Sequence, residues 1–280
     1  MVINRPFETE QGTSDRLWVG KTIVVTGGSK GIGRGIVLAA AAQGARIAFC
    51  ARHTGQETCQ LIDQAERLTG PGNVIGIQAD VSREDAVQAF FDRTIAAFGR
   101  VDVVINNAGL YSVDPRAAPT GLILQVPTSE WDAVIATNLT GAFLVSRRAI
   151  QVFLSQGTGG SIITIGSVSQ DGGTGLVSYA VSKAGLLGLT ESIVKEYGPK
   201  GIRAHVMVVG FLHTSLNKDV PDKYLQMLID WGPQKRAGRV EEVASVALFL
   251  ASSHSALING EPIFVSGGAK DVPAYLVKVG

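Results

Sequence analysis

The sequence predicts an α/β protein built on one doubly wound parallel sheet of seven strands, with helices on both faces. Three observations support this fold: seven short β-branched runs, helical segments between them, and a glycine-rich turn after the first run. Strands that alternate with helices form parallel βαβ units. Because helices cover both faces of such a sheet, its strands should be almost wholly apolar, as they are at 103–105 and 162–163.

The expected strands are short apolar runs that end at glycine or polar residues. They are Thr22–Thr26, Arg46–Cys50, Val74–Gln78, Val101–Asn106, Ser161–Ile165, Arg203–Val208 and Pro262–Val265. Helical periodicity occupies the segments 31–43, 56–68, 83–98, 129–156, 177–197 and 240–252. Segments 111–128 and 210–234 lack clear periodicity, and long irregular loops in a compact domain are usually functional. Within the second of them, 216–231 is apolar enough to cover a substrate, although plain packing explains it equally well.

The chain has 280 residues, a length that allows one large domain or two small ones. No proline-rich or charged linker interrupts the alternation of strands and helices. We therefore expect a polar N-terminal tail over 1–16, one dinucleotide-binding catalytic domain over 17–268, and a C-terminal extension over 269–280.

The charge balance excludes several classes of partner. With 25 Lys and Arg against 24 Asp and Glu, the net charge is +1, so no global field attracts nucleic acid or an anionic membrane. No apolar run is long enough for a membrane span, and 1–16 lacks the apolar core of a signal peptide. Cys50, Cys59 and four scattered histidines show no metal-ligand spacing. We expect a cytoplasmic protein without a metal, whose partners are small molecules or a second copy of itself.

A glycine-rich turn lies between the first strand and the first helix. Its sequence, TGGSKGIG at 26–33, spaces the glycines as G-x3-G-x-G. In this context glycine allows a sharp turn and lets backbone N–H groups approach a pyrophosphate at the positive end of a helix. An ordinary tight turn is the alternative. The pattern favours a Rossmann-type dinucleotide site, with these candidate binding residues: Gly27, Ser29, Lys30, Gly31, Ile32 and Gly33.

The end of the second strand bears on the choice of cofactor. A fold that prefers NAD carries an acid there for the ribose 2′-hydroxyl, whereas this chain has Ala51 and Arg52. Arg52 could bind a 2′-phosphate, and Lys30 could reach the same group. A solvated loop arginine is the alternative. The pair favours NADP(H) over NAD(H).

Tyr179 and Lys183 form the third signal. They lie at i and i+4 in a strongly helical stretch and so share one helix face, although this spacing also arises by chance. A nearby ammonium favours the phenolate and would lower the pKa of the tyrosine, which suits a general acid or base. Ser167 follows the strand that ends at Ile165, at the edge of the sheet where ligands bind.

At this point the chain resembles the short-chain dehydrogenase/reductase family, from Val19 to Gly268. The resemblance rests on motifs that occur in the family's order at the expected element boundaries. They are TGGSKGIG at 26–33, Asp80-Val81, Asn106-Asn107-Ala108-Gly109, Asn138, Ser167 and the Tyr179/Lys183 pair.

The resemblance implies a role for each matching residue. Tyr179 would be the proton donor or acceptor, Ser167 would orient the substrate carbonyl, and Lys183 would hold the nicotinamide ribose and lower the tyrosine pKa. Asn138 would anchor a water that links Lys183 to solvent. The remaining matches would line the dinucleotide, with Asp80 and Val81 at the adenine, Asn107 at the nearer ribose, and Leu212 with Thr214 at the carboxamide. The resemblance also places Ala108, Gly109 and Gly210 among the cofactor-binding residues.

Three departures from the family pattern qualify these roles. Most relatives have a proline before the glycine at Gly210, which here follows Val209, and this loosens the match at Leu212 and Thr214. The loop between Ser167 and Tyr179 is one residue shorter than usual, so Ser169 is an alternative to Ser167. The stretch between 109 and 131 is longer than usual and could shape the substrate mouth.

The resemblance implies an NADP(H)-dependent ketoreductase, most similar to the 3-oxoacyl reductases. One alternative is oxidation of a secondary alcohol of a sugar, polyol or steroid, and another is a regulatory protein that binds a dinucleotide without chemistry. An acyl-carrier-linked substrate would need a basic patch, which Arg147, Arg148 and the stretch 195–203 could supply, although Leu144 stands where carrier-linked relatives often have arginine. A homotetramer or homodimer is also implied, with the helices at 129–156 and 177–197 pairing through Leu186, Leu187, Leu189 and Ile193.

Overall fold

The computed structural model describes residues 17–112, 123–172, 176–214 and 222–270. The expected tail over 1–16 lies outside these residues, as do parts of the segments 111–128, 216–231 and 269–280.

Seven strands and eight α-helices follow one another along the described chain. The strands are β1 (Thr22–Thr26), β2 (Arg46–Ala51), β3 (Val74–Gln78), β4 (Val103–Asn106), β5 (Gly160–Ser167), β6 (Ile202–Val209) and β7 (Pro262–Val265). The helices are α1 (Gly31–Ala42), α2 (Gln56–Thr69), α3 (Glu84–Phe98), α4 (Thr128–Ile135), α5 (Gly141–Gln156), α6 (Val177–Tyr197), α7 (Asp222–Trp231) and α8 (Val240–Ala251).

All seven strands form one parallel sheet in the order β3-β2-β1-β4-β5-β6-β7. This confirms the predicted doubly wound architecture. The strand order reverses between β1 and β4, which are direct neighbours. A crevice for ligands forms beyond the carboxyl ends of the strands at such a reversal.

Two apolar layers cover the sheet. Ile23 and Val25 face the layer that contains residues of α1 and α8, whereas Val24 faces the layer that contains residues of α3 and α5. All three side chains are fully buried, because successive residues of a strand point to opposite faces and both faces are covered. Burial on both faces explains why the strands are continuous apolar runs, as the sequence predicted.

The segment expected to be helical over 129–156 is helical, but it is not one regular α-helix. The structure has α4, a π-helical turn over Ala136–Thr140, and then α5. A π turn inserts an extra residue into a helix, and such turns are common at functional sites. Here the turn carries Asn138, which is 2% exposed. The distortion depends on contacts to other parts of the chain, so helical periodicity did not reveal it.

The expectation that 210–234 is irregular is also wrong in part, because α7 lies inside it. Leu225 is buried and Leu228 and Ile229 are half-buried, at the i, i+3 and i+4 spacing of an amphipathic helix. The periodic signal was present but spans fewer than three turns.

The structure also differs from the expectation about which apolar residues could pair two subunits. Leu186 and Ile193 are 1% and 5% exposed and pack inside the protomer, so they offer little area to a partner. The exposed apolar side chains of α5 and α6 are instead Phe143, Leu154 and Val181.

Within the described ranges, no helix is both long enough and apolar enough to cross a membrane. Nor do those ranges contain a group of three or more His, Cys, Asp or Glu side chains that could hold a metal ion.

Candidate active site

The glycine-rich turn connects β1 to α1 at the reversal of strand order. Gly27 has a φ of 62°, and a Cβ atom there would lie 2.9 Å from the Cα of Ala108. A Cβ atom on Gly33 would overlap the carbonyl oxygen of Gly27. Larger residues would therefore force the turn away from the loop after β4. Close packing at both glycines therefore holds the start of α1 next to the loop after β4.

Thr26 and Asn107 hold this turn against the end of β4. The Thr26 hydroxyl accepts hydrogen bonds from the backbone N–H groups of Asn107 and Ala108, both at 3.0 Å. The Asn107 amide nitrogen donates to the carbonyl oxygens of Thr26 at 2.9 Å and Gly27 at 3.0 Å. The resemblance implies a ribose contact for Asn107, but in this structure its amide nitrogen is engaged in fixing the turn.

The loop after β6 lies beside the same turn. A Cβ atom on Gly31 would lie 3.5 Å from the Cβ of Thr214, so Thr214 borders the start of α1. Leu212 is buried and pairs through a parallel bridge with Gly238. Gly210 packs so closely on Ser266 that a Cβ atom would lie 2.8 Å from its Cα. The segment that lacks the usual proline is thus held by packing beside the glycine-rich turn.

At the other end of the crevice, the remaining turn residues and the ends of β2 and β3 come together. Ser29, Gly31 and Ile32 are half-buried, whereas Lys30 and Arg52 are exposed. Asp80 accepts hydrogen bonds from the Ser82 backbone at 3.0 Å and from its hydroxyl at 2.7 Å.

Burial alone would raise the pKa of Asp80, but these hydrogen bonds and the charges of Arg52 and Arg83 lower it. Asp80 is therefore an anion that faces Arg52. Val81 is buried and packs against Gly141 at the start of α5, which fixes the wall of the crevice after β3.

Tyr179 and Ser167 meet at the carboxyl end of β5. Ser167 is the last residue of that strand and is 9% exposed, and its side chain lies close enough to the Tyr179 hydroxyl to lower the pKa of that phenol. Ser167 Oγ also accepts a bond of 3.1 Å from the backbone N–H of Ser169. The serine that contacts the tyrosine is therefore Ser167, and its alternative Ser169 holds Ser167 in place through the backbone.

Lys183 lies one turn further along α6 and is 5% exposed. Its Nζ atom donates a hydrogen bond of 2.7 Å to the Ile165 carbonyl and lies 5.5 Å from the centre of the Tyr179 ring. Burial lowers the pKa of this amine from 10.5 to about 8. The spacing of four residues along α6 thus places a phenol and an amine beside the end of β5.

The pKa of Tyr179 differs from the expectation. Burial raises it, and the neighbouring Ser167 hydroxyl lowers it only in part. The expected lowering by the Lys183 ammonium does not outweigh burial. The phenol is therefore protonated at neutral pH, as an acid must be before it can donate.

Asn138 connects α4, α5 and α6 to the loop after β4. Its amide donates to the Leu110 carbonyl at 2.8 Å and to the Ser182 hydroxyl at 3.0 Å, and its oxygen accepts from the Leu110 N–H at 2.9 Å. Lys183 Nζ and the Asn138 oxygen both approach Gly109, where a Cβ atom would lie 3.8 Å and 3.3 Å from them. The structure thus brings together Gly109, Asn138 and Lys183 from three separate motifs.

Three further polar residues contribute without having been predicted. Ser182 links Asn138 to the Tyr179 carbonyl, which it contacts at 2.7 Å. Thr26 clamps the loop after β4. Glu57 on α2 forms an ion pair of 2.9 Å with Lys30. Ser182 could have been found from its place between Tyr179 and Lys183, whereas nothing local in the sequence marks Glu57.

The basic patch considered for a carrier protein is largely neutralised. Arg147 pairs with Glu84, and Arg148 pairs with Asp92 at 2.8 Å. Lys195 pairs with Glu191 at 2.9 Å, and Arg203 binds carbonyl oxygens at the end of α8. The expectation that these cations supply docking charge is therefore weakened, because most of them have a partner within the protomer.

A cavity of about 400 Å³ lies between α7, α8 and the end of β7. Its wall begins at Val168, the residue after Ser167, and includes Phe211 and the apolar side chains Leu228, Val246 and Phe264. The same wall also carries the polar side chains Gln234, Arg236, Arg239 and Glu242, so the cavity is apolar only in part.

A nicotinamide dinucleotide fits the crevice. Gly27, Gly31 and Gly33 have no side chains that would keep a pyrophosphate from the backbone at the start of α1, and Arg52 and Asp80 flank the adenosine end. The Tyr179 and Lys183 pair lies at the opposite end, beside the end of β5. The turn and the pair occupy the two ends that a dinucleotide would connect.

Comparison with known proteins gives consistent matches over nearly the whole chain. A family model described as "Enoyl-(Acyl carrier protein) reductase" matches residues 27–270. The (3R)-3-hydroxyacyl-CoA dehydrogenase of Homo sapiens is 38% identical over 251 residues, which are 88% of this chain and 94% of the relative. The 3-oxoacyl-(acyl-carrier-protein) reductase FabG of Thermotoga maritima is 33% identical over 250 residues, 89% of this chain and 97% of the relative.

A solved structure is similar as well. The crystal structure of levodione reductase superposes with a TM-score of 0.84 at 27% sequence identity, covering 90% of this chain and 98% of that chain. The similarity therefore extends to the arrangement of the strands and helices.

Proposed function

Because the chain belongs to the short-chain dehydrogenase/reductase family, whose members use a nicotinamide dinucleotide, we propose that it reduces a ketone to a secondary alcohol with NADPH. The coarser statement, an oxidoreductase that acts on a secondary alcohol or ketone, follows from the family. The more specific proposal, reduction of a ketone, rests on the contact between Ser167 and Tyr179. Lys183 lies beside the tyrosine ring.

In this mechanism the bound nicotinamide supplies a hydride to the carbonyl carbon. The Ser167 hydroxyl donates a hydrogen bond to the carbonyl oxygen and orients it toward Tyr179. The Tyr179 hydroxyl then transfers its proton to that oxygen, so the ketone gains one hydride and one proton and becomes the alcohol. The raised pKa of Tyr179 keeps this proton in place until the oxygen becomes basic.

Lys183 has two proposed roles. Its ammonium would hold the ribose next to the nicotinamide and would stabilise the phenolate left on Tyr179 after proton transfer. With a pKa of about 8, the amine can also exchange a proton near neutral pH. Asn138 would hold the start of the path to solvent, because it fixes the Leu110 loop beside Lys183.

Two cations support the proposed preference for NADPH. Arg52 follows β2 where a carboxylate would favour NADH, and Lys30 lies at the start of α1. Both are exposed and could form charge-assisted hydrogen bonds with a 2′-phosphate. The 2′-hydroxyl of NADH offers neither cation an anionic partner.

For the substrate we propose a 3-oxoacyl thioester. Two relatives carry acyl substrates in their names, and the cavity beyond Val168 has room for an acyl chain and apolar side chains along part of its wall. The pairing of Arg147 and Arg148 with acids removes charge that an acidic carrier protein would need there. A coenzyme A thioester or a free ketone is therefore preferred over a carrier-linked one.

Oxidation of a 3-hydroxyacyl group is the second candidate, favoured by the name of the human relative. The same residues would act in reverse, with Tyr179 as the base.

We also propose the extent of the catalytic domain and the surface that joins subunits. Residues 17–268 would form one catalytic domain, since the single sheet runs from β1 to β7. The exposed apolar side chains of α5 and α6 would form the contact of a homodimer or homotetramer.

The decisive experiment follows NADPH consumption with a 3-oxoacyl-CoA series, simple ketones and the same acyl group on a carrier protein. We expect consumption with the coenzyme A thioesters and a rise in kcat/KM with chain length. Turnover only in the oxidative direction would select the second candidate. Dinucleotide binding without turnover on any carbonyl would instead indicate a binding protein.

A further inference from the structure

The ion pair between Lys30 and Glu57 lies at the adenosine end of the crevice. Lys30 precedes α1, and Glu57 is in the first turn of α2. Their side-chain N and O atoms are 2.9 Å apart, and the side chains are 59% and 64% exposed. The cation expected to bind a 2′-phosphate is therefore already paired with a carboxylate of the same chain.

A second side-chain contact joins the same two helices. One turn along α1, the Arg34 guanidinium donates a hydrogen bond to Gln64 of α2. The helices α1 and α2 therefore pack side by side, and this packing brings Glu57 within reach of Lys30.

The second cation at this end also faces an acid. Arg52 lies close enough to Asp80 to lower the pKa of that carboxyl group. The region that would receive a 2′-phosphate therefore contains two positive and two negative groups. Asp80 is engaged by Ser82 at 2.7 Å and 3.0 Å, whereas Glu57 has one face toward Lys30 and the other toward solvent.

We propose that Glu57 is a specificity-determining residue that reduces the preference of this enzyme for NADPH over NADH. It does so by holding the Lys30 ammonium and by placing a negative charge beside the 2′-phosphate position. The inference deepens the proposed function, since it concerns the same dinucleotide site. Exposed ion pairs are weak, so Glu57 moderates the binding of a phosphate and does not prevent it.

The test compares Glu57→Gln with the wild-type chain by titrating NADPH and NADH separately into the protein. We expect the dissociation constant for NADPH to fall about three- to fivefold, since one nearby charge of an exposed pair is removed. The constant for NADH should stay the same. The difference in the NADPH dissociation constant between Glu57→Gln and the wild-type chain should shrink in high salt, because ions screen exposed charges.

Asp63→Asn is the matched control. Asp63 lies on the same helix, is exposed, and its replacement makes the same change in charge without touching Lys30. This variant should leave both dissociation constants unchanged. An equal gain in Asp63→Asn and Glu57→Gln would show a general charge effect and overturn the assignment.

The inference and the proposed cofactor preference fail separately. The ratio of the two constants in the wild-type chain tests the preference for NADPH, whichever value Glu57→Gln gives. The change in that ratio on replacing Glu57 tests the present inference, even in a chain that prefers NADH. An unchanged ratio in Glu57→Gln, with Lys30→Ala weakening NADPH, would reject the role of Glu57 and keep that of Lys30.

Discussion

The Nζ atom of Lys183 donates a hydrogen bond of 2.7 Å to the carbonyl oxygen of Ile165, two residues before Ser167 on β5. This bond joins α6 to the strand that positions the serine. It also holds the amine in a buried position, which lowers its pKa to about 8. The same contact therefore orients Lys183 and keeps its amine buried, where its proton affinity is lower.

This pKa predicts how cofactor binding depends on pH. Lys183 is charged below about pH 8 and neutral above it, and a charged donor makes a stronger hydrogen bond to the ribose. We expect the affinity for NADPH to fall by about fivefold as the pH rises through this value. Titration of NADPH between pH 7 and 10 measures the change. Lys183→Arg, which stays charged, should show no such fall; an identical pH dependence would contradict the assignment.

Replacement of Tyr179 by Phe removes the proton donor and keeps the ring. We expect kcat to fall by about 10²- to 10⁴-fold, the usual contribution of general acid catalysis, while NADPH binds as before. Tyr197→Phe on the same helix is the control and should retain activity. A Tyr179→Phe variant that keeps a tenth of the wild-type kcat, with an unchanged pH profile, would show that the proton comes from elsewhere.

The end of β2 predicts the choice of cofactor. NADPH should bind at least about tenfold more tightly than NADH, because charge-assisted contacts from Arg52 and Lys30 are each worth roughly 1.5 to 3 kcal/mol. The double change Ala51→Asp and Arg52→Ser should reverse the order by binding the free ribose hydroxyl and repelling the phosphate. Dissociation constants for both cofactors decide the matter. Equal constants in the wild-type chain would mean that Arg52 only stacks on the adenine.

His205 predicts a loss of stability in acid. It is fully buried on β6, and burial together with the Arg203 charge lowers its pKa from 6.5 to about 4. Since the unfolded chain binds the proton more readily, the free energy of unfolding falls as the pH drops from about 6.5 to 4, by about 3 kcal/mol for this group.

Urea denaturation at several pH values tests this expectation. His205→Gln should lose less stability across that window than the wild-type chain, whereas His254→Gln, at an exposed position, should behave like the wild type. Parallel pH profiles for wild type and His205→Gln would refute the link to His205.

The exposed apolar residues of α5 and α6 predict self-association. Phe143 and Val181 are each 42% exposed, which is typical of a subunit contact when apolar residues cluster. Sedimentation should show a species larger than 29.4 kDa at micromolar concentration. The pair Phe143→Glu and Val181→Glu should shift it toward the monomer, while Leu68→Glu on α2 should not. A wild-type chain that sediments only as a monomer would remove this proposal.

Much of the fold was predictable because parallel strands buried on both faces need continuous apolar runs. All seven strands occur where the runs predicted them, within about two residues at their ends. The two misjudged segments, α7 and the π turn at Asn138, depend on weak or long-range signals. A short amphipathic helix has few periodic positions, and the hydrogen bonds of Asn138 reach Leu110 and Ser182, 28 and 44 residues away.

The sequence by itself determined the order of strands and helices, the glycine turn and the pairing of Tyr179 with Lys183 on one helix face. Each of these follows from residues within a few positions of one another, where backbone geometry decides the contacts. Only the tertiary structure showed that burial raises the pKa of Tyr179, that Asn107 holds the turn through Thr26, and that Glu57 faces Lys30. Those properties depend on solvent exclusion and on contacts across the packed sheet and helices, which residue order does not encode locally.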